Sequence, residues 1–345
     1  MEKYILNKTP IKTTSNFRIN DIKIELDIPK ELTFHSFDII GETSKLEIIT
    51  KEGKGLNSKI GLIFDKSQDL IIKVKKGIKI EEPIYITYNF DKNDNLINNI
   101  KIDLEENSEA RFIFKYKSLT KEQNFNHIKE VITGEKNSKA NITILNLLNE
   151  NSNNFISVDL KEYENSNIKH NIIDLGGSIS ISNFYGELLE YNSIHHLNSI
   201  YYGNKESTID INYHIKNIGK NTKNYINVEG AITDNAVKHF KGTIDFIKGS
   251  TKSIGKENEN CILLSDTCKS RSLPMLLCEE ENVEGEHGVS SGKIDFTKLF
   301  YLMSRGFSEK EAQKLLVISS FNKIIEEIND EKIEKEVLDL INTLI

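Results

Sequence analysis

The sequence predicts a mainly β protein: a parallel β-helix, or solenoid, followed by a small C-terminal α-helical domain. Three observations carry this expectation. Short runs with period-2 alternation fill residues 18 to 250. In the middle of the chain these runs start at nearly equal intervals. After Lys293 the apolar period becomes that of a helix.

The alternating runs come first. FRINDIKIELDI, KLEIIT, SEARFIFKYKS and KANITILNLL are rich in Ile, Phe, Thr and Tyr, and Asn, Ser, Gly and Asp separate them. SISISNFYGEL then begins at Ser178, SIHHLNSIYYG at Ser193, STIDINYHIKNIG at Ser207, TKNYINVEGAI at Thr222 and AVKHFKGTIDF at Ala236. The interval is about 14 to 15 residues, so two runs per coil give a two-faced solenoid with coils of roughly 30 residues. The competing reading is a β-sandwich, whose strands recur every 8–12 residues.

The helical part follows. Asp295 is placed to cap FTKLFYLMSR, and Gly306 fits the left-handed position past its end. Ser308 with Glu311 reads as a capping box. The helix it opens is expected to bury Ala312, Leu315, Leu316, Phe321, Ile324, Ile325 and Ile328. EKIEKEVLDLINTLI puts Ile333, Val337, Leu340, Ile341 and Leu344 at helical spacing. The expected division is an N-terminal segment 1–17, a β core 18–292 and a helical domain 293–345. About fifty helical residues bury little alone, so they must pack on the β domain or on a partner.

Composition narrows the function classes. The 345 residues are 38% hydrophobic and 28% charged, which is the profile of a soluble globular protein. The net charge of -7 argues against a broad nucleic-acid surface. No signal-peptide core and no run of 18 apolar residues occurs, so a cytoplasmic location is expected, with no membrane contact. Asn, Ile and Lys are abundant, and biased base composition is the plainest cause. Cys261, Cys268 and Cys278 are an odd set without C-x-x-C spacing, so neither a disulfide framework nor a self-contained metal site is indicated. P-loop, H-E-x-x-H and G-x-G-x-x-G motifs are absent, so no nucleotide is expected to bind to this chain.

Two residues stand out chemically. Cys268, in LLSDTCKSRSLP, precedes Lys269 and Arg271, and cations favour the metal-binding thiolate; its alternative reading is a small buried hydrophobe. His287, in VEGEHGVSSG, has carboxylates at Glu284 and Glu286 and glycines at Gly285 and Gly288. A neutral imidazole there suits iron or zinc, and the alternative is a surface turn before a helix. Cys261 reads as a structural strand residue and Cys278 as intermediate. His35, His127, His170, His195, His196, His214 and His239 read mostly as structural, with only one of His195 and His196 facing the solenoid interior.

FKGTIDF, LLSDTCKSRSLPMLL, EGEHGVSSGKID, LFYLMSRGFSEKEAQKLL and SFNKIIEEI occur in this order between Ala236 and Ile328. In these motifs the segment resembles the C-terminal half of the SufB/SufD family of iron–sulfur cluster assembly proteins. The resemblance is strong over about 90 residues, and the preceding region fits in architecture. It implies a right-handed parallel β-helix with a C-terminal helical domain. It implies a non-enzymatic scaffold acting with the SufC-type ABC ATPase and a SufB-type subunit, or with a second copy of this chain. Sulfur would come indirectly from a cysteine desulfurase system, and an iron–sulfur cluster would form transiently at a subunit interface. Cys268 falls on the cluster-assembly cysteine of B-type subunits, and Glu286 with His287 on the family's acidic–histidine pair. Phe300, Tyr301, Arg305 and Gly306 fall in the helices that dock the ATPase. Gly288 matches D-type subunits where B-type chains have Glu, yet D-type chains usually lack the cysteine. The chain is also shorter than a typical B-type subunit. It therefore reads as SufD-like, with a SufB-like homodimeric scaffold as the alternative. A carbohydrate-active β-helix enzyme is the more distant one; absent Trp and the helical domain speak against it.

Overall fold

The computed structural model describes residues 2–13, 18–33 and 36–345. His35 lies outside the described residues. The chain folds into a solenoid of about eight turns with three helices at its C-terminus. Successive strands alternate between two nine-stranded sheets. Asn167 pairs with Ile194, 27 residues on, and Val237 with Lys269, 32 residues on. The ladders are parallel from Ser67 onward, and antiparallel strands Asp38–Ile40 and Leu46–Gly53 close the N-terminal end. The five evenly spaced runs become strands starting at Ile179, Ile194, Thr208, Lys223 and Val237, each one residue after the position read from sequence.

Asparagine recurs at equivalent coil corners. Asn107, Asn137, Asn165, Asn192 and Asn221 have φ between 55° and 60°, a region asparagine tolerates far better than most residues. They stack coil upon coil. The Asn137 amide donates to Asn107 Oδ1 at 2.9 Å, Asn192 to Asn165 at 2.9 Å and Asn221 to Asn192 at 3.1 Å.

Alternation sends every second side chain into the lumen, where Ile, Leu, Phe and Tyr form a continuous core from Leu70 to Cys261. The outer face of each sheet is also covered. On one, strand Glu2–Leu6 pairs with Ile22–Leu26, and Leu6, Ile22, Leu26 and Phe64 pack on Ile97, Phe125, Phe155 and Ile181. On the other, the helical domain folds back over Ile113, Leu145, Ile173, Ile200 and Ala231.

The helices are α1 (Phe296–Ser304), α2 (Glu309–Ile325) and α3 (Glu331–Leu344). Asp295 accepts from the N–H groups of Thr297 and Lys298, the Ser308–Glu311 capping box is complete, and Gly306 has φ +99°. Helix α2 buries Ala312, Val317, Phe321, Ile324 and Ile325, with Ile328 in the turn after it, while Leu315 is 40% exposed. Five of the seven expected positions are thus buried as read and Leu316 is partly so; only Leu315 departs, and Val317 takes its place against the sheet. From α3, Ile333, Val337 and Ile341 are buried and Leu340 and Leu344 partly so. Each fully buried side chain of this kind contributes about 1.5–3 kcal/mol. Polar anchors flank the seam: Lys115 reaches Glu336 at 2.9 Å and the Tyr85 hydroxyl donates to Asp330 at 2.5 Å. Among the described residues, no helix is long and apolar enough to cross a membrane.

Candidate functional site

The C-terminal end of the solenoid is open. Its last two strands, Lys269–Cys278 and Glu284–Lys293, stand at the edges of the two sheets. Among the described residues, no strand pairs with either outer edge. Pro274 lies in the middle of the first, which an edge strand tolerates because one side of its ladder is open. The Glu284–Gly288 stretch is extended strand rather than a turn, since it pairs in register with Ile254–Asn258. Parallel pairing carries it on even though two of its five residues are glycines.

Alternation assigns the faces of this strand. Glu286 pairs with Lys256 on the outer face and forms an ion pair with it at 3.0 Å. His287 pairs with Glu257, a buried residue, and so sits on the lumen-facing side at the mouth, where it is exposed. Glu286 and His287 therefore point to opposite faces of one strand.

Cys268 lies in the corner before the other edge strand. It is half-buried against the lumen core, with Sγ 3.2 Å from the Ser265 carbonyl oxygen. Arg271 is turned outward, its guanidinium 3.0 Å from His239 Nε2, so it is not the thiol's companion that its sequence position suggested. Ser270 meets Ser291 at 2.9 Å and Asp266 meets Lys293 at 2.5 Å, which puts Cys268 at the far end of the His287 strand. His287 is four residues from Ser291, roughly 13 Å along that strand. One chain does not bring Cys268 and His287 together. Among the described residues, no three His, Cys, Asp or Glu side chains gather closely enough to hold a metal ion.

Beneath the mouth is a polar cluster that the sequence reading missed. Lys238 Nζ donates to Glu259 Oε1 at 2.6 Å and to Ser272 Oγ at 2.9 Å. The Tyr201 hydroxyl donates to Oε1 at 2.7 Å and the Ser272 hydroxyl to Oε2 at 2.9 Å. Cys261 lies beside them, buried in a strand as expected, and burial pushes its thiol up. Glu257 is buried too, and neither carboxyl oxygen has a hydrogen-bond partner. Burial, with Glu259 adding, pushes it up to about 8. The available signal was the alternation itself: IGKENENCIL places Glu257 and Glu259 at inward positions, where a strand of this core should be apolar.

The remaining histidines divide as their strands dictate. His195 faces the lumen, 2.8 Å from Glu162, and His196 faces outward and stacks on Tyr225. His170 is also in the lumen, with Nε2 3.6 Å from Glu130. His127 is shut under the N-terminal segment against Phe64 and Phe155. His214 lies 3.1 Å from Asp245 on the outer face.

The residues expected to dock a partner form an exposed ledge. On α1, Phe296, Phe300, Tyr301 and Met303 are all exposed, and Phe307 continues them past Gly306. Arg305 lies over the Tyr301 ring, 5.1 Å from its centroid. Such a contiguous apolar patch is characteristic of an interaction surface.

Residues 87–320 match the family model described as SUF system FeS cluster assembly, SufBD core domain. The chain is 27% identical over 275 residues to the iron–sulfur cluster assembly protein SufD of Bacillus subtilis, covering 78% of this chain and 62% of that protein. It is 25% identical over 241 residues to the Escherichia coli protein of the same name, covering 69% and 56%. An iron–sulfur cluster assembly SufBD family protein of Methanocaldococcus jannaschii is 25% identical over 283 residues, covering 78% and 88%. The chain thus spans less than two thirds of the length of the two SufD proteins.

Proposed function

The chain belongs to the SufBD family of the SUF iron–sulfur cluster assembly system, and from that premise we propose that it is a non-enzymatic, SufD-like scaffold subunit. It acts with a SufC-type ABC ATPase and a SufB-type subunit. The observation that carries this reading is the open solenoid end, where two ten-residue edge strands present unpaired backbone and an exposed His287. Such edges accept strands from a second subunit. That subunit supplies the further ligands for a cluster built as cargo, with His287 as this chain's donor; Cys268, at the far end of the same strand, does not reach the same cluster. Sulfur reaches the site indirectly, from a cysteine desulfurase system.

The ATPase takes the α1 ledge of Phe300, Tyr301, Arg305 and Gly306. Helix α1 begins three residues after the terminal strand, so a displacement of the ledge is passed directly to the edge that holds His287. In this reading the chain itself binds no nucleotide, nucleic acid or membrane, and it works in the cytoplasm. Cys268 favours a second reading, a SufB-like scaffold that pairs with itself.

The test is co-purification with the SufC-type ATPase, with and without SufB, reading subunit masses from the intact complex. One copy of this chain with the ATPase and a separate SufB is the expected result. Two copies with the ATPase would establish the homodimeric scaffold. No ATPase binding in either condition overturns the proposal.

A further inference from the structure

We propose that the solenoid lumen binds water between Glu130, His170 and His195, so that one section of its core is wet. The inference is independent of the assembly reading above. Three observations lead to it.

The first is a set of orphans. Glu130, His170 and His195 are each 0% exposed. Among the described residues, neither Glu130 oxygen, neither His170 nitrogen nor His195 Nε2 has a hydrogen-bond partner. Five unpaired polar atoms in one section of a core call for an explanation. Other lumen acids are served by the protein itself. Glu162 meets His195 Nδ1 at 2.8 Å and accepts from Ser166 at 2.9 Å, and Asn146 donates to Asp174 at 2.6 Å.

The second is distance. Glu130 comes from one sheet and His170 from the other, and across the lumen Oε2 stands 3.6 Å from Nε2. That is too long for a direct hydrogen bond, and it is a separation that one water can serve from the side. Where the two sheets do close on an acid–imidazole pair, at Glu162 and His195, the contact is 2.8 Å.

The third is the surroundings. Ile100 and Val158 flank Glu130 in register, and Ile142 and Leu197 flank His170. His195 pairs with Ile168, two residues before His170 on the same face. The Phe184 ring lies against both imidazoles, its centroid 5.4 Å from that of His170 and 5.0 Å from that of His195. These hydrocarbon neighbours offer neither donor nor acceptor, so a polar guest has to supply the bonds.

The chemistry selects water. Burial holds Glu130 up to about 8 and both rings down to about 3, so near neutral pH all three are largely uncharged. A protonated carboxyl and a neutral imidazole each present a donor and an acceptor, and a guest that is both satisfies them. A metal ion is not served here, since among the described residues no three His, Cys, Asp or Glu side chains gather to hold one. At about three hydrogen bonds per buried water, these atoms call for about two waters. The waters extend the bonded set of His195, Glu162 and Ser166 across to His170 and Glu130.

The experiment uses the full chain. Oxygen-17 relaxation dispersion counts its long-lived internal waters, and a crystal structure of the same protein locates them. The expected result is ordered water within hydrogen-bond distance of both the Glu130 carboxyl and the His170 ring. Glu130→Leu combined with His170→Phe, which removes both polar groups and keeps the volume, should lower the count by about two. Glu130→Gln, which keeps a donor and an acceptor, should leave the count unchanged. The unmodified protein decides the matter if the double variant does not fold. A direct bond between the Glu130 carboxyl and the His170 ring, with no water touching either group, overturns the proposal. An equal count in the unmodified protein and the folded double variant overturns it too. So does an ion in that place, revealed by anomalous scattering after exchange into bromide or rubidium.

Discussion

Lys238 Nζ lies 2.6 Å from Glu259 Oε1 in the lumen just inside the open end, and neither side chain reaches solvent. The pair survives desolvation because Tyr201 and Ser272 satisfy the remaining oxygen positions. Lys238→Met alone should therefore cost about 3–5 kcal/mol, since it strands a buried carboxylate. The double change Lys238→Met with Glu259→Leu should recover most of that loss. Urea unfolding of the three proteins decides it. A double variant as unstable as the single one would show that packing, and not charge, dominates this site.

The corner asparagines should be separable from ordinary surface residues. Asn192 has φ 58° and stands in the ladder between Asn165 and Asn221. Asn192→Ala should cost about 1–2 kcal/mol from the left-handed backbone alone. Asn192→Gly should cost less, because it loses the ladder but keeps the backbone. Equal midpoints for the two variants would remove the conformational argument.

Burial lowers His127, His170 and His195 to about 3. These rings are neutral in the fold but take up protons near 6.5 when unfolded, so the unfolded chain binds more protons between those values. Their contribution is complete above pH 6.5 and is lost as pH falls toward 3. His127→Phe, at a site already walled by Phe64 and Phe155, should flatten that acid limb. Glu130 works the other way, because burial raises it to about 8. Its contribution is present below about 4.5 and lost as pH rises through 8. Glu130→Gln should flatten the decline between about 4.5 and 8. Unfolding free energy against pH for each variant checks both signs.

Phe300 is 62% exposed and Tyr301 55% exposed. Replacing either with a polar residue should leave stability within about 0.5 kcal/mol. ATPase co-purification should fall at least tenfold, as expected for aromatic anchors of an interface. A large loss of melting temperature would mean instead that the ledge supports the fold.

Much of the architecture was legible along the chain. The solenoid followed from run spacing, and the five strand starts were each read to within one residue. Asp295, Ser308, Glu311 and Gly306 marked helix ends correctly, because caps depend on residues within one turn of each other. His195 and His196 parted to opposite faces for the same local reason.

Tertiary structure decided what lies one coil or one sheet away. It turned the His287 segment from a turn into an edge strand, because its partner is 30 residues earlier in the chain. It chose Val317 over Leu315 by laying α2 on a particular sheet. It also brought Lys238 from one sheet to Glu259 of the other and left Glu257 beside them unpaired. Periodicity and capping are set by neighbours in sequence, so the sequence by itself determined the elements. Charge pairing, burial and the mouth of the lumen are set by residues some 20 to 35 positions apart, and only closing the coils puts those in contact.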